Sequence, residues 1–166
     1  MIRKIAALAA ACAFAMPARA IDGIGVELGR GEDDTNLLRI FVTDRWREAA
    51  RALGGDWQFA GYWEISAGVW DNKDESSADL GATPVFRFER RSLYVEGAVG
   101  FHLVQTHVSA SRTFSTAFQF GDHIGIGMRG REYDVGIALQ HLSNASIRHP
   151  NPGINFILVR FQYHLP

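Results

Sequence analysis

Polar residues near the C-terminus have the types and spacing of a serine hydrolase site. His141 and Ser143 are two positions apart, so both side chains share one face if this segment is a β-strand. A serine hydroxyl within reach of an imidazole base is a common nucleophile for ester hydrolysis. Asn144 follows directly, and its amide is a candidate donor to an oxyanion. Asn155 could orient the imidazole by accepting its second N–H, as Asn does in Cys-His-Asn sites.

The segment that carries this pair alternates with a period of two. Apolar residues occupy every second position from Tyr133 to Leu139, and His141 and Ser143 continue the same phase. This pattern predicts a strand over 132–143 with both polar side chains on its apolar face, close to one end. A His and a Ser at a strand end are also common as polar residues of a barrel rim without any catalytic role. Their spacing alone therefore does not show that they are catalytic.

The same alternation recurs along the chain and predicts eight strands. Their expected ranges are 22–30, 37–46, 57–70, 80–89, 93–103, 115–128, 132–143 and 154–165. The connections after the odd-numbered strands are polar, whereas those at 90–92 and 129–131 are tight. The connection 47–56 is longer, and we expect a short amphipathic helical turn there. With both chain termini on the periplasmic side, the polar loops would face the cell exterior.

Each expected strand has one bulky apolar face and one face of small or charged residues. The charged positions carry both signs, and they are Glu27, Arg39, Arg45, Glu64, Arg87, Glu89, Glu96, Asp134 and Arg160. A water-soluble sandwich or a lipocalin-like barrel would place these charges outside. A membrane barrel instead places aliphatic side chains in lipid and pairs the charges in its lumen.

The volume of the apolar faces favours the membrane arrangement. Bulky residues occur on nearly every strand, which is too much for the interior of an eight-stranded barrel. Trp46, Trp57 and Tyr163 lie near strand ends, where an interfacial aromatic girdle is expected. We therefore predict an all-β fold, an eight-stranded antiparallel transmembrane β-barrel of the bacterial outer membrane. A periplasmic lipocalin-like barrel is the alternative.

The first twenty residues have the pattern of a secretory signal peptide. Two positive charges precede the apolar run 5–16, and Ala18-Arg19-Ala20 supplies the small residues that a signal peptidase reads. We expect residues 1–20 to be cleaved and residues 21–166 to form one barrel domain. Cleavage removes Cys12, the only cysteine, and leaves an excess of acidic groups. Neither disulfides nor a nucleic-acid partner is therefore expected.

The segment with the polar residues also resembles a known family. The sequence HLSNAS at 141–146, followed by PNPG at 150–153, looks like the signature of the lipid A 3-O-deacylase (PagL) family. The segments FQFGDHIG at 118–125 and YVEG at 94–97 are also similar to that family's pattern. The resemblance covers the whole chain after the signal peptide and is most specific in 118–155.

The resemblance implies an outer-membrane serine esterase that hydrolyses the 3-O-linked acyl chain of lipid A. It implies that His141 is the base, Ser143 the nucleophile and Asn144 an oxyanion donor, with no metal and no cofactor. The family has Glu as the triad acid where this chain has Asn155, and an amide supplies no negative charge. Either Asn155 orients the ring by itself, or another carboxylate helps, or activity is reduced. Asp122 is expected to lie too far from this rim to help.

Other functions remain open on the residues alone. A non-catalytic barrel with a structural or adhesive role would have the same strands, and a phospholipase or an acyltransferase could use the same site. The expected partners are lipid A or lipopolysaccharide as substrate and the lipids of a Gram-negative outer membrane. The sequence does not decide between a monomer and a homodimer.

Overall fold

The computed structural model describes residues 21–47, 51–72, 75–109 and 112–166, and the expected signal peptide at 1–20 lies outside them. No helix in these described segments is long and apolar enough to cross a bilayer. The described strands are β1 Gly23–Gly31, β2 Asn36–Arg45, β3 Arg51–Gly54, β4 Trp57–Asp71, β5 Ser76–Arg90, β6 Leu93–Val104, β7 His107–Ser109, β8 Arg112–Thr113, β9 Phe118–Arg129, β10 Tyr133–Ser143 and β11 Ile154–His164.

Eight of the described strands close into an antiparallel barrel. Hydrogen-bonded neighbours follow the order β2, β1, β11, β10, β9, β6, β5 and β4, and pairing between β4 and β2 completes the ring. These eight strands correspond to the eight segments expected from the alternation of the sequence. The predicted all-β, eight-stranded antiparallel barrel is therefore confirmed.

The connection between β2 and β4 differs from its prediction. Instead of a helical turn, its described part contains β3, which pairs with the start of β4. Gly54, Gly55 and Asp56 all have positive φ, so the chain reverses tightly and the hairpin ladder continues beyond the barrel. For residues 51–56 the prediction of an amphipathic helical turn is wrong, because the turn chemistry of these three residues outweighs the local pattern; residues 48–50 lie outside the described segments. A second small hairpin, β7 with β8, lies between β6 and β9.

The barrel is apolar outside and charged inside. On the outer face, Ile124 is 67% exposed and Ile137 is 57% exposed, whereas Glu27 and Arg39 inside are almost fully buried. A water-soluble barrel would show the opposite distribution. The lipocalin-like alternative is therefore rejected, and the apolar faces are those that a membrane barrel turns towards lipid.

Ion pairs connect the strands across the lumen. The Arg39 guanidinium lies 2.7 Å from Glu27 and 2.5 Å from Asp79. Arg87 contacts Glu96 at 2.8 Å and Asp134 at 2.5 Å. Buried charges are tolerated when each has such partners. This network joins β1, β2, β5, β6 and β10, so it holds the wall of the barrel together from within.

A buried apolar cluster occupies the barrel interior at the end where the polar loops begin. Its members are Leu37, Trp70, Val104, Phe114, Ala138, Leu142, Ile154, Phe156 and Leu158. Leu142 of β10 pairs with Ile154 of β11, and both are completely buried. Because side chains alternate along a strand, the burial of these two turns His141 and Asn155 towards the outside.

Candidate active site

The strand register aligns four polar residues in one row across the outer face. His141 of β10 pairs with Asp122 of β9 on one side and with Asn155 of β11 on the other. Glu32 follows β1, and its backbone N–H donates to the carbonyl oxygen of Asn155 at 3.3 Å. We call Asp122, His141, Asn155 and Glu32 the polar row. It interrupts a surface that is apolar elsewhere along these strands.

The position of Asp122 corrects the sequence analysis. Asp122 was expected to lie too far from the rim, but it is the direct cross-strand neighbour of His141. In a tight antiparallel hairpin, residues at equal distances from the turn face each other. The register begins with Asp134 opposite Arg129, which brings residue 141 opposite residue 122. The expectation was wrong because the strand alternation alone does not specify this register.

Asn155 holds the imidazole of His141 from the other side. Its Oδ1 lies 2.8 Å from His141 Nδ1, and its Nδ2 donates to Glu32 Oε1 at 2.9 Å. The structure thus brings together the two residues that the sequence singled out as base and orienter. It also adds Glu32, which the sequence analysis missed because this residue is 123 positions away from Asn155.

Ser143 lies on the same outer face as His141, and both side chains are half-buried. Ser143 Oγ accepts a long hydrogen bond, 3.5 Å, from the Ala145 backbone N–H. In the described part of the chain, no hydrogen bond joins Ser143 to His141. Hydrogen bonds of this kind are often open in enzymes without substrate and close when substrate binds.

The side chain of Asn144 points into the barrel and does not reach Ser143. Its Nδ2 donates to Ser115 Oγ at 2.9 Å and to the Arg148 carbonyl oxygen at 2.8 Å. Its backbone N–H donates to Asn151 Oδ1 at 3.0 Å. Both amide hydrogens are therefore engaged in holding the loop after β10. The parity of residue 144, which matches that of buried Leu142, is the signal that explains this direction.

The loop between β10 and β11 packs on the edge of the imidazole at Gly153. A Cβ built on Gly153 would lie 2.8 Å from His141 Cε1, and this residue has a φ of +59°. Its carbonyl oxygen accepts a hydrogen bond from the Arg112 guanidinium, which is 13% exposed. Arg112 also contacts Glu32 Oε2 at 3.3 Å and Asp33 Oδ2 at 2.8 Å. Arg112 thus connects both sides of the site.

An apolar groove of about 1180 Å³ runs along the outer face from the polar row. Gly97 lies in the outward phase of β6, and a Cβ on it would meet only the His123 carbonyl oxygen, at 3.9 Å. The missing side chain therefore leaves a depression in the wall. The apolar side chains that line the groove are Phe86, Phe88, Val95, Val99, Ile124, Leu139 and Ile157.

Comparisons with known proteins identify the family of this chain. The family model for lipid A 3-O-deacylase (PagL) matches residues 38–164. The chain is 28% identical to lipid A deacylase PagL of Bordetella bronchiseptica, over 96% of this chain and 92% of the relative. It is 27% identical to lipid A deacylase PagL of Pseudomonas aeruginosa, over 58% of this chain and 60% of that protein.

Solved structures show the same fold. The crystal structure of the outer membrane enzyme PagL gives a TM-score of 0.76 at 22% identity and covers 84% of this chain and 97% of that one. The N-terminal β-barrel domain of Pseudomonas aeruginosa OprF gives a TM-score of 0.57 at 8% identity, over 87% of this chain and 98% of that domain. Because the family model extends over most of the barrel and includes the whole segment 141–155, the chain belongs to the lipid A 3-O-deacylase (PagL) family.

Proposed function

We propose that the protein is an outer-membrane esterase that hydrolyses the 3-O-linked acyl chain of lipid A. Its family is named for this reaction. The observation that carries the proposal is the contact between His141 Nδ1 and Asn155 Oδ1, 2.8 Å, on an otherwise apolar outer face. Ionisable groups that face a bilayer are costly and mark functional sites. A structural barrel has no need of an oriented imidazole at this position.

The outer face is a suitable place for this reaction. Lipid A occupies the outer leaflet, so its ester groups lie near the depth of the outer strand ends. A site on the barrel exterior meets such a substrate by lateral diffusion and needs no channel through the lumen. The groove that starts at the polar row offers an apolar surface for the acyl chain, because Gly97 lowers the wall between Phe86 and Ile124.

The proposed mechanism begins with proton transfer from Ser143 to His141. Because Nδ1 of His141 faces Asn155, Nε2 is the nitrogen available as the general base. Binding of lipid A brings Ser143 Oγ and Nε2 into hydrogen-bond contact, and Oγ attacks the ester carbonyl carbon. The imidazolium then donates its proton to the departing sugar 3-oxygen. Water, deprotonated by His141, releases the fatty acid from Ser143 and restores both residues.

The oxyanion of the tetrahedral intermediate needs a donor close to Ser143. The Ala145 backbone N–H, 3.5 Å from Ser143 Oγ, is the donor that this geometry supports best. The side-chain amide of Asn144 takes an indirect part, since its bonds to Ser115 and Arg148 fix the turn that presents Ala145.

Lipid A mass spectrometry on expressing cells tests the proposal. We expect wild-type protein to remove one 3-O-linked acyl chain and the Ser143→Ala and His141→Ala variants to remove none. The matched control is Ser92→Ala in the tight turn at the opposite end of the barrel, which should retain full activity. Altered mobility of the unheated barrel on gels verifies folding of each variant. Deacylation by folded Ser143→Ala, or loss of acyl chains from phospholipids instead, would contradict the proposal.

A further inference from the structure

Asn155 lies between the imidazole and a carboxylate. Its Nδ2 donates to Glu32 Oε1 at 2.9 Å, and its backbone N–H donates to Glu32 Oε2 at 3.4 Å. In turn, the Glu32 backbone N–H donates a hydrogen bond to the Asn155 carbonyl oxygen at 3.3 Å. Glu32 therefore holds both the backbone and the side chain of Asn155.

These contacts determine which way the Asn155 amide faces. A carboxylate only accepts hydrogen bonds, so the NH₂ group of Asn155 must face Glu32 and its Oδ1 must face His141. An amide oxygen only accepts, so the proton of the neutral imidazole must be on Nδ1. The lone pair is then on Nε2, as a general base requires. Without Glu32, either face of the amide could turn to the ring, and one of the two selects the wrong tautomer.

Glu32 also brings negative charge to the site. Glu32 and Asp33 together carry two negative charges, and Arg112, which contacts both, carries one positive charge. The cluster therefore has a net charge of −1 at the back of Asn155. A hydrogen bond to a charged acceptor polarises the next bond in the chain, which strengthens the Oδ1 acceptor when His141 becomes an imidazolium.

We propose that Glu32 is a positioning residue of the catalytic site, which acts on His141 through Asn155 and replaces the triad acid that this chain lacks. This inference rests on the proposed Ser143–His141 mechanism. No proton reaches Asn155 or Glu32 in it. His141 accepts the Ser143 proton on Nε2, keeps its own proton on Nδ1, and returns the former to the leaving sugar oxygen.

Other charged groups lie near the imidazole of His141, and the experiment must distinguish their effects from that of Glu32. Asp122 faces His141 from β9, although no hydrogen bond joins them within the described segments. Arg112 of β8 contacts Asp33 at 2.8 Å beside Glu32, and Arg30, at the groove end, pairs with Asp34 at 2.5 Å. Variants of Asp34 are the matched control, because this acid lies in the same loop as Glu32 and pairs with Arg30.

The first test compares Glu32 variants of the full-length barrel in detergent micelles with lipid A. Glu32→Ala removes both the group that orients Asn155 and its negative charge. Removing the partner that orients a metal-binding His lowers activity about 10- to 100-fold, and we take this range for Glu32. We expect that loss in kcat with KM nearly unchanged. Glu32→Gln keeps an oxygen for the Asn155 amide, so its kcat falls less. In Glu32→Gln the acid limb of the pH–rate profile moves to lower pH, because the imidazolium of His141 loses a stabilising carboxylate. Asp34→Asn keeps the wild-type kcat and pH profile.

The second test exchanges the two groups. Asn155→Asp alone places two carboxylates against each other at a contact of 2.9 Å and lowers kcat. The double variant Asn155→Asp/Glu32→Gln has the same shape with the acid next to His141, and we expect it to recover activity over either single variant. If Glu32→Ala fails to fold, the double variant still tests the role of Glu32.

Two results would overturn the role of Glu32. One is a folded Glu32→Ala with the kcat and pH profile of the wild type, and the other is a double variant no more active than Asn155→Asp. Both leave the proposed function intact as long as Ser143→Ala is inactive. Activity in Ser143→Ala would instead reject the proposed function itself.

Discussion

Replacing Gly153 by Ala should displace the imidazole of His141 without unfolding the barrel. The new Cβ would lie 2.8 Å from His141 Cε1 and 3.2 Å from the Leu142 carbonyl oxygen. Ordinary van der Waals contact begins at 3.4 Å, so the ring must move back by at least about 0.6 Å. This movement disturbs the 2.8 Å contact between His141 Nδ1 and Asn155 Oδ1.

Gly153→Ala has two separate effects, a loss of kcat from the displaced ring and a loss of stability from backbone strain. A misplacement of about 1 Å can lower a catalytic rate about 100-fold, so a shift of this size should lower kcat on the order of 10- to 100-fold. The φ of +59° adds backbone strain of about 1–2 kcal/mol for any residue with a Cβ. That strain alone lowers stability and has no direct effect on the reacting groups.

A matched variant separates the two costs. Gly55 has a φ of +58°, and no atom lies within 4 Å of a Cβ built on it. Gly55→Ala therefore carries the same backbone strain but touches nothing. In deacylation assays with purified barrels we expect Gly153→Ala to lose kcat and Gly55→Ala to keep it. Equal losses in both variants, or a wild-type kcat in Gly153→Ala, would refute the claim that Gly153 sets the ring position.

Two further variants test the groove and the lumen. Gly97→Leu fills the depression on the outer face, so KM for lipid A should rise while the barrel still folds; an unchanged KM would show that the acyl chain does not use the groove. Arg39→Leu removes the cation that Glu27 and Asp79 share. Arg160 still contacts Glu27 and His102 still contacts Asp79, so we expect a loss of about 3 kcal/mol of stability, the lower end of the range for breaking a buried pair. Urea unfolding in detergent measures this loss, and an unchanged midpoint would contradict the role given to the lumen network.

The strands could be predicted from the sequence because each one meets two different environments. Lipid-facing and lumen-facing positions alternate strictly, so the period of two survives along all eight barrel strands. The same parity rule places His141 and Ser143 outside with Leu139. It also points Asn144 inward with Leu142, although residue type alone makes Asn144 a candidate oxyanion donor.

Contacts between distant segments could not be predicted in this way. Asp122 becomes a neighbour of His141 only through the register of β9 with β10. Glu32 reaches Asn155 because barrel closure places β1 beside β11, which no local pattern encodes. The tight approach of Gly153 to the imidazole is likewise set by the conformation of the loop between β10 and β11.

The most direct test of the central claim uses the purified barrel with lipid A in detergent micelles. Mass spectrometry of both the released fatty acid and the remaining lipid identifies which ester has been cut. We predict that the wild type releases the 3-O-linked chain alone and that folded Ser143→Ala releases nothing. Release of the same acid by Ser143→Ala, or cleavage at another ester by the wild type, would contradict the account.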